Sequence, residues 1–384
     1  MKKIFAMLLC LCMLVGVFTA CATKKPDSTD DTTVTTKGTE TTSTTDTGKT
    51  ESSGKDDDKE KENEALKAKL KEDFLKAANE VIVNDDSVTF KDATSTDGST
   101  VTVKKGIGNV VNLYASFTTL WYEAGGSVIG CIGGDSSQEL YKEYIGRDIT
   151  ADEGMTVVKW DTEQIVALKP ELIICSTAMS GFSTIEKPAK AAGIPVIAVK
   201  YDDFSDYLKC FKVFCNLSGH PELWDSIAMK SLDDVVNVLC EIPDENAPRV
   251  FSMFANASSL NANTSATVVG GMVTAMKAKN IVDDWDNASG AERLEINLET
   301  VFAADPDIII VQCHAGTDAA QEQVEKTYGS NPVWQSLRAV KNGKVYYLEK
   351  SLFHNKPNSR FAEAYQKLAE ILYPDVEFSF KSAK

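Results

Sequence analysis

The spacing of hydrophobic and polar positions changes along the chain, and the changes divide it. An apolar run fills 4–20 behind Lys2 and Lys3. From 22 to 59 the residues are almost all Thr, Ser, Asp, Lys and Gly. Between Glu60 and Val83 the chain is charged, with Leu66, Leu70, Phe74, Ala77 and Ala78 at helical spacing, which predicts a helix leading into a folded body. Beyond it, short β-branched runs alternate with amphipathic stretches. The pattern predicts strands at 109–113, 128–131 and 193–199, with helices at 118–124 and 184–192. It predicts further strands at 249–253 and 345–348, and a helix at 271–278. Between these two sets, Phe204 to Cys240 reads as mostly helical, with a break near Gly219-His220-Pro221.

One unit occurs twice. Thr162 to Ile174 (TEQIVALKPELII) is echoed by Leu298 to Ile310 (LETVFAADPDIII). Each reads as a short amphipathic helix, a Pro-bearing stop, and a β-branched run suited to a strand covered on both faces. A copy in each half predicts two lobes of the same architecture. The expected fold is α/β, with two Rossmann-like parallel-sheet lobes joined by a long helical connector. The expected divisions are a signal peptide at 1–20, a disordered tether at 21–59, a first lobe with its leading helix at 60–203, a connector at 204–246, and a second lobe at 247–384.

The first division changes where the chain is placed. A basic start and an apolar run too short for a comfortable membrane span suit a signal peptide. Phe18-Thr19-Ala20-Cys21 resembles a bacterial lipobox, with Phe18 where Leu is usual, so Cys21 is the expected acylation site and the mature N-terminus. The segment after it buries too little to offset the entropy of ordering and should act as a flexible tether spanning roughly 30–35 Å. The protein is thus expected on the extracytoplasmic face of the cell membrane, held by lipid.

The formal net charge of −16, with no basic stripe carrying aromatics, argues against a nucleic-acid partner. Cys131, Cys175, Cys210, Cys215, Cys240 and Cys313 mostly end apolar runs and contain no C-x-x-C pair, so they read as small buried thiols, with little support for zinc. No G-x-S-x-G elbow, phosphate-cradling G-x-x-x-x-G-K-[ST] loop or H-E-x-x-H occurs, which disfavours a hydrolase or transferase.

Four stretches carry a family resemblance: 120–130 (LWYEAGGSVIG), 163–174 (EQIVALKPELII), 192–196 (AGIPV) and 331–346 (NPVWQSLRAVKNGKVY). They resemble the periplasmic binding proteins that serve ferric-siderophore, haem and cobalamin ABC importers. The resemblance covers about Val101 to Pro374. It implies a monomeric binding protein without catalysis, without a cofactor of its own, and with a small metal-chelate ligand carrying iron or cobalt. It also implies that one surface Glu on each lobe docks on an ABC permease; the matching positions are Glu163 and Glu299. Each Glu also suits a helix N-terminus through the dipole. A surface lipoprotein that captures haem from a host protein is an alternative role.

Ligands of open α/β sheets sit beyond the carboxyl ends of the strands. That rule selects Ser116, Phe117, Thr177, Met179 and Tyr201 in the first lobe, and Asn256, His314, Phe353, His354 and Arg360 in the second. Lys200, Phe254 and Gln312 fall at the same ends. Two of the three histidines are thus candidates for metal or carboxylate contact, or else solvent-facing loop residues. Arg360 could fork onto an anionic ligand, or simply open the last helix. Phe117, Tyr201 and Phe353 could stack on a flat ligand, or pack within the lobes. The resemblance implies that members holding triscatecholates gather Arg in the cleft and that those for bare zinc or manganese use His-rich loops, so only five arginines and three scattered histidines disfavour both and leave a hydroxamate-type chelate, haem or a corrinoid.

Overall fold

The computed structural model describes residues 53–95 and 97–381. The signal-peptide and lipobox expectations, Cys21 among them, and the tether up to residue 52 lie outside the described residues; 53–59, expected as disordered tether, instead begin the leading helix Ser53–Asn79. Among the described residues no helix is long and apolar enough to cross a membrane.

The body holds two large sheets, beside a small three-stranded antiparallel one near its start. The first orders its strands Thr156–Val158, Gly130–Ile132, Val110–Asn112, Leu172–Ser176, Val196–Val199, all parallel. Counted along the chain this is the order 3-2-1-4-5, which reverses direction between the first and fourth strands. In the second, Arg249–Ala255 lies beside Ile308–Cys313, which pairs with Val345–Leu348, all parallel. Lys279–Asn280 also pairs parallel to Arg249–Ala255. The second sheet departs from the all-parallel expectation. Leu260–Asn263 returns antiparallel to Arg249–Ala255, and Arg293–Glu295 extends that edge antiparallel again. A tight turn built on Asn256, whose side-chain oxygen accepts from the Ser258 and Ser259 amides at 2.8 and 2.7 Å, makes the reversal possible.

The repeated unit is a structural repeat down to its caps. Asp161 caps Thr162–Ala167 by accepting from the Glu163 and Gln164 amides; Asn297 caps Leu298–Ala304 by accepting from the Glu299 and Thr300 amides. Each helix runs into a left-handed residue just before the proline, Lys169 (φ 49°) and Asp305 (φ 44°). The carboxylate after each proline then holds the start of the neighbouring strand. Glu171 accepts from the Gly108 and Asn109 amides, and Asp307 from the Arg249 amide at 2.8 Å. These two acids therefore fix where the first strand of each lobe enters its sheet.

A helical layer lies between the sheets. The connector comprises Phe204–Ser218, a π-helical turn Trp224–Met229, and Lys230–Cys240. Gly219 closes its first helix in the left-handed conformation that a Cβ would penalise. The C-terminal helix Phe361–Leu372 and the leading helix Ser53–Asn79 share this layer. Phe204 meets Phe361 at 4.9 Å and Phe74 at 5.2 Å between ring centres, and one apolar core runs from Val110 and Leu172 of the first sheet to Val250 and Ile310 of the second. Separate smaller cores cover the outer face of each sheet. A shared central core ties the lobes together over a wide area, so any hinge motion must be small. The leading helix ends earlier than its pattern suggests. Ile82–Val83 turns out of it as a strand against Ser87–Phe90, which pairs in turn with Val101–Lys104. The β-branched run 81–83 favours that exit.

A second, polar junction joins the lobes. Asn358, fully buried at φ 52°, donates through its side chain to the Thr119 hydroxyl at 2.9 Å and the Ser116 carbonyl. Next to it, the Ser359 hydroxyl and amide donate to the Glu123 carboxyl at 3.0 and 3.3 Å. Burial pushes Glu123 up to about 8, against the pull of Ser359 and of Arg360. Between the unfolded value near 4.3 and about 8, the folded state keeps a proton that the unfolded state has lost, so stability falls as pH rises through that window. The residue as a whole is half-buried, which moderates the effect. Glu123→Gln should therefore be more stable than wild type by about 1–2 kcal/mol at pH 8 and equal to it below pH 5, as read by thermal unfolding across pH.

Candidate functional site

Beyond the carboxyl ends of the parallel strands, Ser136 and Glu139 of the first lobe and Gly316, Thr317 and Lys350 of the second line one cavity, and the polar and aromatic groups beside it come mainly from the second lobe. Arg249–Ala255 and Ile308–Cys313 deliver Phe254 and His314 side by side, because Phe254 is the next-to-last residue of one strand and His314 the first residue past the end of the parallel strand beside it. The short helix Lys350–Phe353, following Val345–Leu348, ends at His354. The His314 and His354 rings lie 4.6 Å apart between centres in an edge arrangement, and His354 lies 5.7 Å from the Phe254 ring.

Positive charge surrounds this aromatic group. The Arg293 guanidinium sits 4.2 Å from the centre of the Phe254 ring. It is held by a relay of amides: Arg293 Nε donates to the Asn263 side-chain oxygen at 3.2 Å, Asn263 donates to Gln312 at 3.0 Å, and Gln312 donates to the Phe353 carbonyl at 2.6 Å. Asn263 and Gln312 are buried, so the relay is a satisfied core network linking the arginine to the residue before His354. Lys350 reaches across to the Ser136 hydroxyl of the first lobe at 3.2 Å. Lys356 lies 5.2 Å over the Tyr201 ring and 3.5 Å from Asp202. Its ammonium is pulled below the usual lysine value by burial, partly offset by Asp202, Asp206 and Glu292. Burial, then the neighbouring His314, Lys350, Arg293 and Lys356, push His354 down to about 4. An imidazole held neutral among cations has its lone pair free at physiological pH.

The residues selected from sequence divide sharply. His314 and His354 come together as described. Thr177 is half-buried and Met179 exposed, both just past the end of Leu172–Ser176. Phe117, Tyr201 and Phe353 are turned into the core, at 1%, 1% and 2% exposure, and Phe117 stacks on Tyr201 instead of a ligand. Ser116 is buried, its carbonyl taken by Thr119 and Asn358. Asn256 is occupied in its turn. Arg360 is engaged by Glu143 of the first lobe and Glu363 of its own helix, a lobe-to-lobe ion cluster that leaves its charge already neutralised. Glu163 and Glu299 are both exposed, and among the described residues neither enters an ion pair.

Arg293, Lys350 and Lys356 were not singled out by sequence. Arg293 sits on the antiparallel edge strand, which the strand-end rule does not reach. The two lysines flank His354 by four and two residues, a local cationic signature that was available in the sequence.

The periplasmic binding protein family matches residues 110–352, which takes in both sheets. The chain is 26% identical over 239 residues to the Fe(3+)-citrate-binding protein YfmC of Bacillus subtilis, covering 62% of this chain and 71% of that protein. It is 24% identical over 152 residues to the high-affinity heme uptake system protein IsdE of Staphylococcus aureus, covering 38% of this chain and about half (51%) of the relative. Among solved structures, an ABC transporter substrate-binding protein from Listeria monocytogenes superposes with a TM-score of 0.57 at 19% identity, over 70% of this chain and 99% of that one.

Proposed function

The chain belongs to the periplasmic binding protein family, and we propose that it is an extracytoplasmic, lipid-anchored carrier that captures a metal chelate of the iron-siderophore, haem or corrinoid type and hands it to an ABC permease. Proteins of this family bind substrates for ABC importers and do not transform them, so the groove needs no catalytic residues. The observation that carries the reading is the neutral imidazole of His354 set among Arg293, Lys350 and Lys356, in a chain whose net charge is otherwise strongly negative. Such a site attracts an anion that brings its own metal. YfmC, named for ferric citrate, and IsdE, named for heme uptake, make iron-containing ligands the first to test.

In this reading Cys21 carries the acyl anchor and the loaded carrier works as a monomer. Glu163 and Glu299 meet basic side chains of the permease. Their support is positional: both are exposed and both are second residues of helices capped in the same way on two equivalent units. ATP hydrolysis belongs to other subunits.

Trp160 packs against Gly181, and both follow carboxyl ends of first-lobe strands, so tryptophan emission should report groove occupancy. Titration of the full chain in detergent with ferric citrate, ferric hydroxamate, haem and cobalamin, each beside its metal-free form, is expected to give one-to-one saturation by one of them at about micromolar levels or tighter, without turnover. Silence across the panel would overturn the chelate reading.

A further inference from the structure

His314 and His354 sit closer than two solvated loop histidines need to, and their spacing has a chemical meaning. With metal–nitrogen bonds of about 2.1 Å, two imidazoles on adjacent positions of one ion have ring centres about 4.6 Å apart, and on opposite positions about 6.5 Å. The observed separation is 4.6 Å. It matches the adjacent arrangement and not the opposed one that two axial ligands of a porphyrin require. The two rings meet edge to face at an interplanar angle of 65°. Neither ring nitrogen is engaged by a hydrogen bond or ion pair among the described residues, in contrast to His220, whose Nδ1 meets Glu222 at 3.1 Å.

Two donors cannot hold a bare ion. No group of three or more His, Cys, Asp or Glu side chains able to hold a metal occurs among the described residues. The remaining coordination positions must therefore be filled by the incoming ligand itself. Resting on the carrier reading above, we infer that His314 and His354 form a two-donor site for an anionic polycarboxylate chelate of ferric iron that leaves two adjacent coordination positions open. Binding is a ligand exchange. Two iron–oxygen bonds to water or to loosely held carboxylate break, two iron–nitrogen bonds form, and no electron or covalent skeleton changes. Arg293, held over the Phe254 ring that also meets His354, and Lys350, which reaches Ser136 of the first lobe, then supply counter-charge to the chelate's carboxylates together with Lys356. Selectivity follows. The site favours an incompletely wrapped iron over both the metal-free acid, which lacks the bond, and a hexadentate chelate, which has no position to offer.

The test compares ferric citrate, metal-free citrate, a hexadentate ferric tris-hydroxamate and haem on wild-type full chain, His314→Gln, His354→Gln and the double variant, with thermal unfolding as the folding control. Wild type is expected to prefer ferric over metal-free citrate by about tenfold or more, and the double variant to lose that preference while keeping metal-free citrate binding within about twofold. The ferric absorption of the wild-type complex should differ from that of free ferric citrate, and the difference should vanish in the double variant. A double variant that keeps the preference, or a wild type that favours the hexadentate chelate or haem, would overturn the two-donor site and leave the carrier reading standing. A wild type that binds neither these four nor cobalamin defeats the carrier reading instead.

Discussion

Reversing both docking carboxylates, Glu163→Lys with Glu299→Lys, is expected to lower cellular uptake of the chelate by about a hundredfold or more while changing its affinity in solution by less than about twofold. Both residues are exposed, and neither belongs to the groups gathered around His354. A lysine in the first turn of a short helix opposes the helix dipole, at a cost of about 0.3–1 kcal/mol each, which is too little to unfold a body with one continuous central core. A partner that reads two equivalent points on two lobes must lose both contacts and gain two repulsions. Single reversals should fall between, because one lobe still docks in register. Uptake of labelled iron by cells carrying each variant, set against the solution titration, separates the roles. If affinity falls together with uptake, the two glutamates serve the fold or the groove and not the permease.

What the sequence made legible was whatever repeats. The pairing of Thr162–Ala167 with Leu298–Ala304 was visible as spacing, and the structure adds the matched caps, the left-handed residues before Pro170 and Pro306, and the strand-holding acids Glu171 and Asp307. Strand ends were legible to within two or three residues, so His314 and His354 could be placed at a groove. Side-chain direction was not. Phe117 lies in the first turn of Ala115–Glu123, a helix that begins three residues before its apolar pattern does, and that register sends the ring inward against Tyr201. Phe353 ends a helix of only four residues, too short for periodicity to show which face is buried. Arg360 looked free because its partner Glu143 is distant in sequence and in the other lobe. Arg293 was invisible for a related reason: three residues pairing antiparallel at a sheet edge leave almost no pattern, yet they place the arginine over Phe254.

The cationic wall of the groove should carry most of the affinity for an anionic chelate. Arg293→Met with Lys356→Met is expected to weaken binding of ferric citrate by about a hundredfold, consistent with losing two partly desolvated charge contacts of about 1–3 kcal/mol each. Methionine keeps the apolar stems over Phe254 and Tyr201, so the rings stay covered and the loss reports charge, not packing. Asp202 retains Lys200 at 3.1 Å when Lys356 is gone, so no carboxylate is stranded on that side. Raising ionic strength from low to physiological should weaken wild-type binding markedly and the double variant little, because screening acts on the charges that the substitution has already removed. His354 offers an independent reading. With two of its three neighbouring lysine and arginine charges replaced, its imidazole should titrate above its wild-type value of about 4. Ring-proton NMR of the ligand-free protein would show that rise even where binding is too weak to measure. An unchanged affinity together with an unchanged His354 titration would mean that the arginine and lysine face away from the ligand, and that the groove recognises its cargo through the imidazoles alone.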